Sequence, residues 1–88
     1  MMKLLLVDDD AFLRDMYAMK FSEFKHVVDV AESPMAALTK LQQTQDYDMI
    51  LLDMVMPGMS GVELISAIKK QVPDMKAKFV VLSNQGQS

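Results

Sequence analysis

The fold of this chain is decided by residues 4–14, LLLVDDDAFLR, which join an apolar run directly to three acids and then to a helical pattern. A run that is apolar on both faces, here residues 3–7, is typical of a strand in the middle of a parallel sheet. The acids Asp8, Asp9 and Asp10 stand where this strand ends. Because loops at strand ends carry most ligand sites in open α/β sheets, the stretch predicts the position of a site as well as a strand.

The composition restricts the kind of protein that the chain can form. Its 88 residues are 51% hydrophobic and 24% charged, which predicts one small globular domain. The net charge of −3 argues against a nucleic-acid partner. The apolar runs are far shorter than the roughly 18 residues that cross a bilayer, so we expect a cytoplasmic protein without membrane association. With no cysteine and one histidine, any metal or phosphoryl chemistry must rest on carboxylates.

Four apolar runs are predicted strands, and they alternate with segments of helical spacing. The strands are expected at residues 3–7, 27–31, 49–53 and 79–83. The second run alternates and places Asp29 on one face, which is typical of an edge strand, whereas the first and third are apolar on both faces. This alternation with helices predicts a three-layer α/β fold around a parallel sheet of strand order 2-1-3-4.

The segments between the strands carry recognisable helix-start signals. Asp10 is the expected N-cap of a first helix over residues 11–24, and Ser33 is the expected N-cap of the second. Ser60 and Glu63 have the spacing of a capping box at the start of the third. The first helix is predicted to face the sheet with Leu13, Met16, Tyr17, Phe21 and Phe24. The second is expected to do so with Pro34, Ala37, Leu38 and Leu41, and the third with Leu64, Ile65, Ile68 and Val72.

In the predicted sheet the first and third strands are neighbours, and their carboxyl ends carry Asp8, Asp9 and Asp53. Two unit charges about 4 Å apart at an effective dielectric constant near 20 repel by roughly 4 kcal/mol, so three carboxylates need a proton or a cation. Mg²⁺ suits a shallow site of this kind, because it binds a few carboxylate oxygens and leaves room for phosphate. An aspartate beside it can act as a nucleophile toward phosphorus.

The motifs at these positions resemble those of a known family. They are LLLVDDD at residues 4–10, LLDMVMPGMSG at residues 51–61 and FVVLS at residues 79–83. Together they resemble the receiver domain of bacterial two-component response regulators, and the resemblance extends over the whole chain. It implies a flavodoxin-like fold and a signalling domain that is not an enzyme.

The resemblance also implies roles for individual residues. Asp53 is the expected phosphoacceptor, and Asp8, Asp9 and Asp53 are the expected Mg²⁺ ligands together with the backbone carbonyl of Val55. Ser83 is the expected switch hydroxyl, which turns toward the phosphoryl group. The implied partner is a histidine kinase or a histidine phosphotransfer domain.

The chain departs from the family pattern at its end. Receiver domains have five strands, whereas the predicted elements stop after the fourth, so the last helix, strand and helix are missing, as is the lysine at the end of the fifth strand. The eight lysines are all predicted at the edge opposite the acids, and only Arg14 is a nearby basic residue. We therefore expect a truncated receiver domain that binds Mg²⁺ but accepts a phosphoryl group slowly or not at all. Self-association, in a dimer or higher oligomer, is expected to cover the exposed sheet.

Two other functions stay open on the sequence alone. A phosphotransferase similar to the haloacid dehalogenases would use Asp8 as the nucleophile and Asp10 as its helper, although Phe12 stands where that pattern has Thr or Val. Alternatively, the chain is a scaffold or assembly fragment without phosphotransfer. Replacing Asp53 by Asn distinguishes the first of these from a receiver domain, and the absence of any effect of divalent metal would indicate the second.

Overall fold

A computed structural model describes residues 1–53 and 58–82 of the chain. Its elements in chain order are β1 (Lys3–Val7), α1 (Ala11–Glu23), β2 (Val27–Ala31), α2 (Pro34–Gln43), β3 (Met49–Asp53), α3 (Gly61–Gln71) and β4 (Lys78–Leu82). The first three strands have the predicted bounds. The helix α1 ends one residue earlier than predicted, because Phe24 has left the helical conformation and forms the C-cap.

The four strands form one parallel sheet in the order β2-β1-β3-β4, as predicted from their apolar and alternating sequence patterns. Leu5 in β1 pairs with Asp29 of β2 on one side and with Ile50 of β3 on the other. Since β1 and β3 are adjacent and parallel, the residues that follow them lie side by side at one edge of the sheet. This edge holds the acidic residues that the sequence singled out.

Successive residues of the central strands point to opposite faces of the sheet, so each strand contributes to two separate cores. Leu5 and Val7 belong to the larger core, which α2 and α3 cover. Leu4 and Leu6 belong to the smaller core, which is packed by α1. All four side chains are at most 1% exposed, which explains why the first strand is apolar on both faces.

The two later helices follow their sequence signals closely. The Ser33 side chain accepts a hydrogen bond from the amide of Ala36, as expected of an N-cap. The capping box is also formed, since the Ser60 amide donates to Glu63 Oε1 at 2.9 Å and the Glu63 amide donates to Ser60 Oγ at 3.2 Å. The residues predicted to face the core from α2 are all buried, namely Pro34, Ala37, Leu38 and Leu41.

The predicted inward face of α1 is wrong for two of its residues. Met16 is 40% exposed and Phe24 is 69% exposed, whereas Tyr17 and Phe21 pack against the sheet. The reason is that α1 carries apolar residues on both sides, so helical periodicity does not determine which side faces the sheet. None of the helices in the part of the chain that the structure describes has the length and apolarity to cross a bilayer.

Candidate metal centre

Three aspartates from the ends of the two central strands meet at one edge of the sheet. The amide of Asp8 donates to the carbonyl of Ala31 at 3.1 Å, which extends the hydrogen bonding of β1 with β2 by one residue. Asp53 is the last residue of β3 and pairs with Leu82 of β4. One carboxylate oxygen from each of Asp8, Asp9 and Asp53 lies within 4.8 Å of the others. The convergence predicted from the strand order is therefore present.

The three carboxyl groups differ in their contact with water. Asp8 is 2% exposed and Asp53 is 8% exposed, and they are the only buried charged residues within residues 1–53 and 58–82. Asp9 is exposed. The cluster thus combines two buried aspartates with one exposed aspartate, Asp9.

Hydrogen bonds from the start of α1 fix the residue at the end of β1. The amide of Asp10 donates to Asp8 Oδ1 at 2.9 Å. Arg14 Nη1 donates to the backbone carbonyl of Asp8 at 3.1 Å. Asp10 is the N-cap of α1, as predicted, because its side chain accepts from the amides of Phe12 and Leu13. The turn that carries Asp9 is therefore tied to the helix on both sides.

Burial and like charge together disfavour the ionised form of Asp8. Burial is the largest cause that raises the pKa of this carboxyl group, and the nearby carboxylates of Asp53, Asp9 and Asp10 raise it further. The hydrogen bond from the Asp10 amide lowers the same pKa but does not reverse the shift. In the metal-free site the ionised form of Asp8 is therefore less favoured than that of an ordinary aspartate, and a divalent ion would relieve the repulsion between the carboxylates.

The lysines lie at the other edge of the sheet, as predicted. Lys3 and Lys78 open their strands, and the last turns of the helices carry Lys20, Lys40, Lys69 and Lys70. Lys25 and Lys76 follow the ends of α1 and α3. At the acidic edge the basic side chain is that of Arg14, whose guanidinium is bound to a backbone carbonyl.

The donor set and its dimensions fit Mg²⁺. All three ligating groups are carboxylates, which are hard oxygen donors, and the cluster is open on the Asp9 side, where coordinated water has room. Two oxygens bound to one Mg²⁺ at about 2.1 Å each are at most about 4.2 Å apart. The observed limit of 4.8 Å lies about half an ångström above that span, so the carboxylate oxygens would move slightly closer together around a bound ion.

Two of the predicted site positions, the Val55 carbonyl and the Ser83 hydroxyl, lie outside the described residues. The contact that sequence reasoning did not predict is the bond from Arg14 to the Asp8 carbonyl. Its signal was available, since Arg14 lies four residues after the N-cap Asp10 and hence one turn above it on the same side of α1.

Comparison with known proteins places the chain in a family. The sequence model of the response regulator receiver domain matches residues 4–88. The chemotaxis protein CheY of Listeria monocytogenes is 38% identical over 89 residues, which cover 99% of this chain and 71% of CheY. The two-component response regulator PhoP of Pseudomonas aeruginosa is 37% identical over 70 residues, which cover 80% of this chain and 31% of PhoP. The chain thus spans about a third of that longer regulator.

A solved structure shows the same fold. The response regulator protein TrrA from Thermotoga maritima, in complex with Mg²⁺ and BeF, superposes with a TM-score of 0.78 at 28% sequence identity. The superposition covers 99% of this chain and 91% of TrrA. The parallel order β2-β1-β3-β4 is that of the flavodoxin-like receiver fold, as predicted. The chain therefore belongs to the response regulator receiver domain family and is a receiver domain of two-component signal transduction.

Proposed function

We propose that this receiver domain accepts a phosphoryl group on Asp53, in a Mg²⁺-dependent reaction, from a histidine kinase or a histidine phosphotransfer domain. The observation that carries the proposal is the convergence of Asp8, Asp9 and Asp53 within 4.8 Å at the end of the two central strands. Receiver domains bind Mg²⁺ through acidic residues, and this cluster has the matching composition. The complex of TrrA with Mg²⁺ and BeF supports the same ligand chemistry in a protein of this fold.

The three aspartates would have different tasks. Asp53 is the nucleophile, in keeping with the family resemblance of the motif around it. Asp8 and Asp9 hold the cation together with Asp53, Asp8 as a fixed ligand and Asp9 as an adjustable one, since Asp8 is anchored by the Asp10 amide and Asp9 is exposed. The carbonyl of Val55 as a further ligand and the hydroxyl of Ser83 as the switch group stay predictions from the resemblance.

The transfer itself is a substitution at phosphorus. A carboxylate oxygen of Asp53 forms a bond to the phosphorus of the donor phosphohistidine while the nitrogen–phosphorus bond breaks. The electron pair of that bond stays on the imidazole nitrogen, which then takes up a proton. When bound, Mg²⁺ supplies positive charge next to the phosphoryl oxygens. The chain contributes the position of the nucleophile and an edge where a phosphoryl group can approach from solvent.

The phosphotransferase alternative has less support in the structure. It requires Asp10 as an acid–base helper, but the Asp10 carboxylate accepts hydrogen bonds from the amides of Phe12 and Leu13 at 2.9 and 3.2 Å. A helix N-cap of this kind is held with its oxygens toward the helix. The family match also favours the receiver function.

The proposal is tested with phosphoramidate, a small donor with a nitrogen–phosphorus bond like that of phosphohistidine. The purified chain is incubated with phosphoramidate and Mg²⁺, and its intact mass is followed until it no longer changes, because the site and not the rate is under test. We expect one phosphoryl group to be added slowly, in keeping with the impaired acceptance predicted from the sequence, and we expect this label to be lost in Asp53→Asn and in the presence of EDTA. The matched control Asp74→Asn, in the turn before β4, keeps the label.

Two outcomes of this experiment would contradict the proposal. A label that persists in Asp53→Asn but disappears in Asp8→Asn would favour the dehalogenase-like phosphotransferase. If the wild type takes up no label and its stability does not respond to Mg²⁺, the chain is a scaffold or assembly fragment.

We also propose a cytoplasmic location, where the kinase partner would present its phosphohistidine, and self-association of the chain. Exposed apolar side chains on the outer side of the helices support self-association, among them Phe12 at 74% and Met19 at 65% exposure on α1. Light scattering at micromolar concentration tests it, and a strictly monomeric species would count against it.

A further inference from the structure

Arg14 occupies an unusual position relative to the acidic cluster. It is half-buried in the first turns of α1 and reaches back to the end of β1, where its Nη1 donates to the carbonyl oxygen of Asp8 at 3.1 Å. A guanidinium at the same edge of the sheet as a carboxylate cluster could pair with a carboxylate, but the hydrogen bond observed for Arg14 is to the backbone of Asp8. This hydrogen bond indicates that the Arg14 side chain fixes the position of the backbone at Asp8.

The bond acts on the peptide unit that leads into Asp9. The carbonyl of Asp8 and the amide of Asp9 belong to one planar group, so fixing the carbonyl direction also fixes the direction from which the Asp9 backbone starts. On the preceding side, the Asp8 amide is bound to the carbonyl of Ala31. On the following side, the Asp10 amide is bound to Asp8 Oδ1. Asp9 is the exposed member of the cluster, and its place depends on these backbone bonds.

We propose that Arg14 is a positioning residue for the metal centre: by holding the Asp8 carbonyl, it orients the peptide before Asp9 and so places the Asp9 carboxylate for the cation. This inference rests on the proposed function, because it presumes that the cluster binds Mg²⁺. It assigns Arg14 no contact with the ion or with the phosphoryl group. Its effect passes through the backbone of Asp8 and Asp9.

The proposal predicts the direction in which the Mg²⁺ affinity changes when Arg14 is replaced. A cation near a Mg²⁺ site repels the ion, so if Arg14 acted only through its charge, removing that charge would tighten Mg²⁺ binding. If Arg14 acts by positioning, its removal loosens the Asp9 turn and weakens binding. Groups that orient metal ligands from behind typically change metal affinity by about 10-fold to 100-fold when they are lost. The direction of the change in Kd therefore separates the two roles.

The experiment is a calorimetric titration of the metal-free chain with Mg²⁺ and no phosphodonor. For Arg14→Met we expect a Kd about tenfold weaker than that of the wild type, and for Arg14→Lys an intermediate value, because lysine keeps the charge but has a single shorter donor arm. The control is Lys20→Met, which removes one charge from the last turn of the same helix, about 9 Å further along its axis. It should leave the Kd unchanged. An Arg14→Met variant that binds Mg²⁺ as tightly as the wild type, or more tightly, would overturn the proposal.

Far-UV circular dichroism at the titration temperature verifies that each variant is folded. If Arg14→Met does not fold, Arg14→Lys decides the matter: weaker binding than the wild type supports positioning, and equal or tighter binding overturns it. Asp9→Asn separates this inference from the function on which it rests. A wild type without saturable binding refutes the metal centre itself, whereas binding that is lost in Asp9→Asn but unaffected in Arg14→Met refutes only the role of Arg14.

Discussion

Replacing Asp8 by Asn should make the metal-free protein more stable, although it alters a buried residue at the centre of the site. The amide of asparagine keeps an oxygen that can accept the hydrogen bond from the Asp10 amide, now made to Asp8 Oδ1 at 2.9 Å. The substitution removes the charge that burial and the neighbouring carboxylates disfavour. The gain is thus electrostatic, with little change in packing volume.

The size of the gain follows from the geometry of the cluster. Two charges 4.8 Å apart, the limit for the ligating oxygens, repel by about 3.5 kcal/mol at an effective dielectric constant near 20. Solvent at the Asp9 side and the hydrogen bond from the Asp10 amide, which favours the charged form of Asp8, reduce this value, so we expect the free energy of unfolding to rise by about 1–2 kcal/mol. In a domain of this size that corresponds to an increase in Tm of about 5–10 °C.

Excess Mg²⁺ should reduce or reverse the stability advantage of Asp8→Asn over the wild type. A ligand that binds only the folded state at ten times its Kd stabilises a protein by about 1.4 kcal/mol. The wild type should gain this amount, whereas Asp8→Asn, which lacks one of the carboxylate ligands, should gain much less. The difference in stability between the two proteins is therefore expected to shrink or change sign when EDTA is replaced by Mg²⁺.

Urea unfolding followed by far-UV circular dichroism measures both effects, in EDTA and in excess Mg²⁺ at slightly alkaline pH. Asp74→Asn is the matched control, because it removes an exposed acid at the opposite edge of the sheet and should change neither value. An Asp8→Asn protein no more stable than the wild type in EDTA would refute the reasoning. It would show that the carboxylates in the metal-free site do not repel each other appreciably.

Three further predictions concern the frame of the site. Ser60→Ala removes the N-cap of α3 and should lower the free energy of unfolding by about 1 kcal/mol, measured by urea denaturation. Gly58→Ala should lower the free energy of unfolding by about 1–2 kcal/mol, because φ of Gly58 is +84°, a conformation that residues with a side chain disfavour. Steric contact does not contribute, since no atom lies within 4 Å of the added Cβ. Gly58→Asn should lower the free energy of unfolding by less, because asparagine tolerates this conformation better. Tyr47→Phe loses a 2.6 Å hydrogen bond to the Asp29 carboxylate and should cost about 1.5–3 kcal/mol at neutral pH. Burial first, and then the bond to Asp29, raises the pKa of Tyr47 above its ordinary value of 10.0. The stabilisation that the Tyr47 hydroxyl provides is thus fully present below pH 10 and is lost at higher pH. The difference in the free energy of unfolding between the wild type and Tyr47→Phe should therefore become smaller when urea unfolding is measured at alkaline pH.

The sheet could be predicted from the sequence because its pattern is strong at every strand. The runs that end at Val7 and Asp53 are apolar on both faces, and only a central position buries both faces of a strand. The position of the acids followed from the strand order, since parallel strands end at the same edge. The capping residues Ser33 and Ser60 marked the start of two helices through bonds within four residues of chain.

The features that sequence did not reveal depend on contacts between elements. The outward position of Met16 is set by the side of α1 that meets the sheet, and the apolar residues on both sides of this helix conceal that choice. Asp29 lies half-buried on the edge strand β2, as predicted, but its partner was not predicted: it accepts a hydrogen bond from the hydroxyl of Tyr47, in the segment before β3. Such a partner, 18 residues away, leaves no local periodic signal.

The lysines lie at one end of the strands and the cluster of Asp8, Asp9 and Asp53 lies at the other, which gives this small domain an electric dipole along the sheet, reduced at the lysine end by acids such as Asp46. Its field would act on an approaching molecule before any atoms touch, over about 8 Å at physiological ionic strength. A partner with a positive surface would be rotated toward the acidic end during its approach, and productive encounters would become more frequent as a result. The association rate, more than the lifetime of the complex, should therefore decline when salt is added.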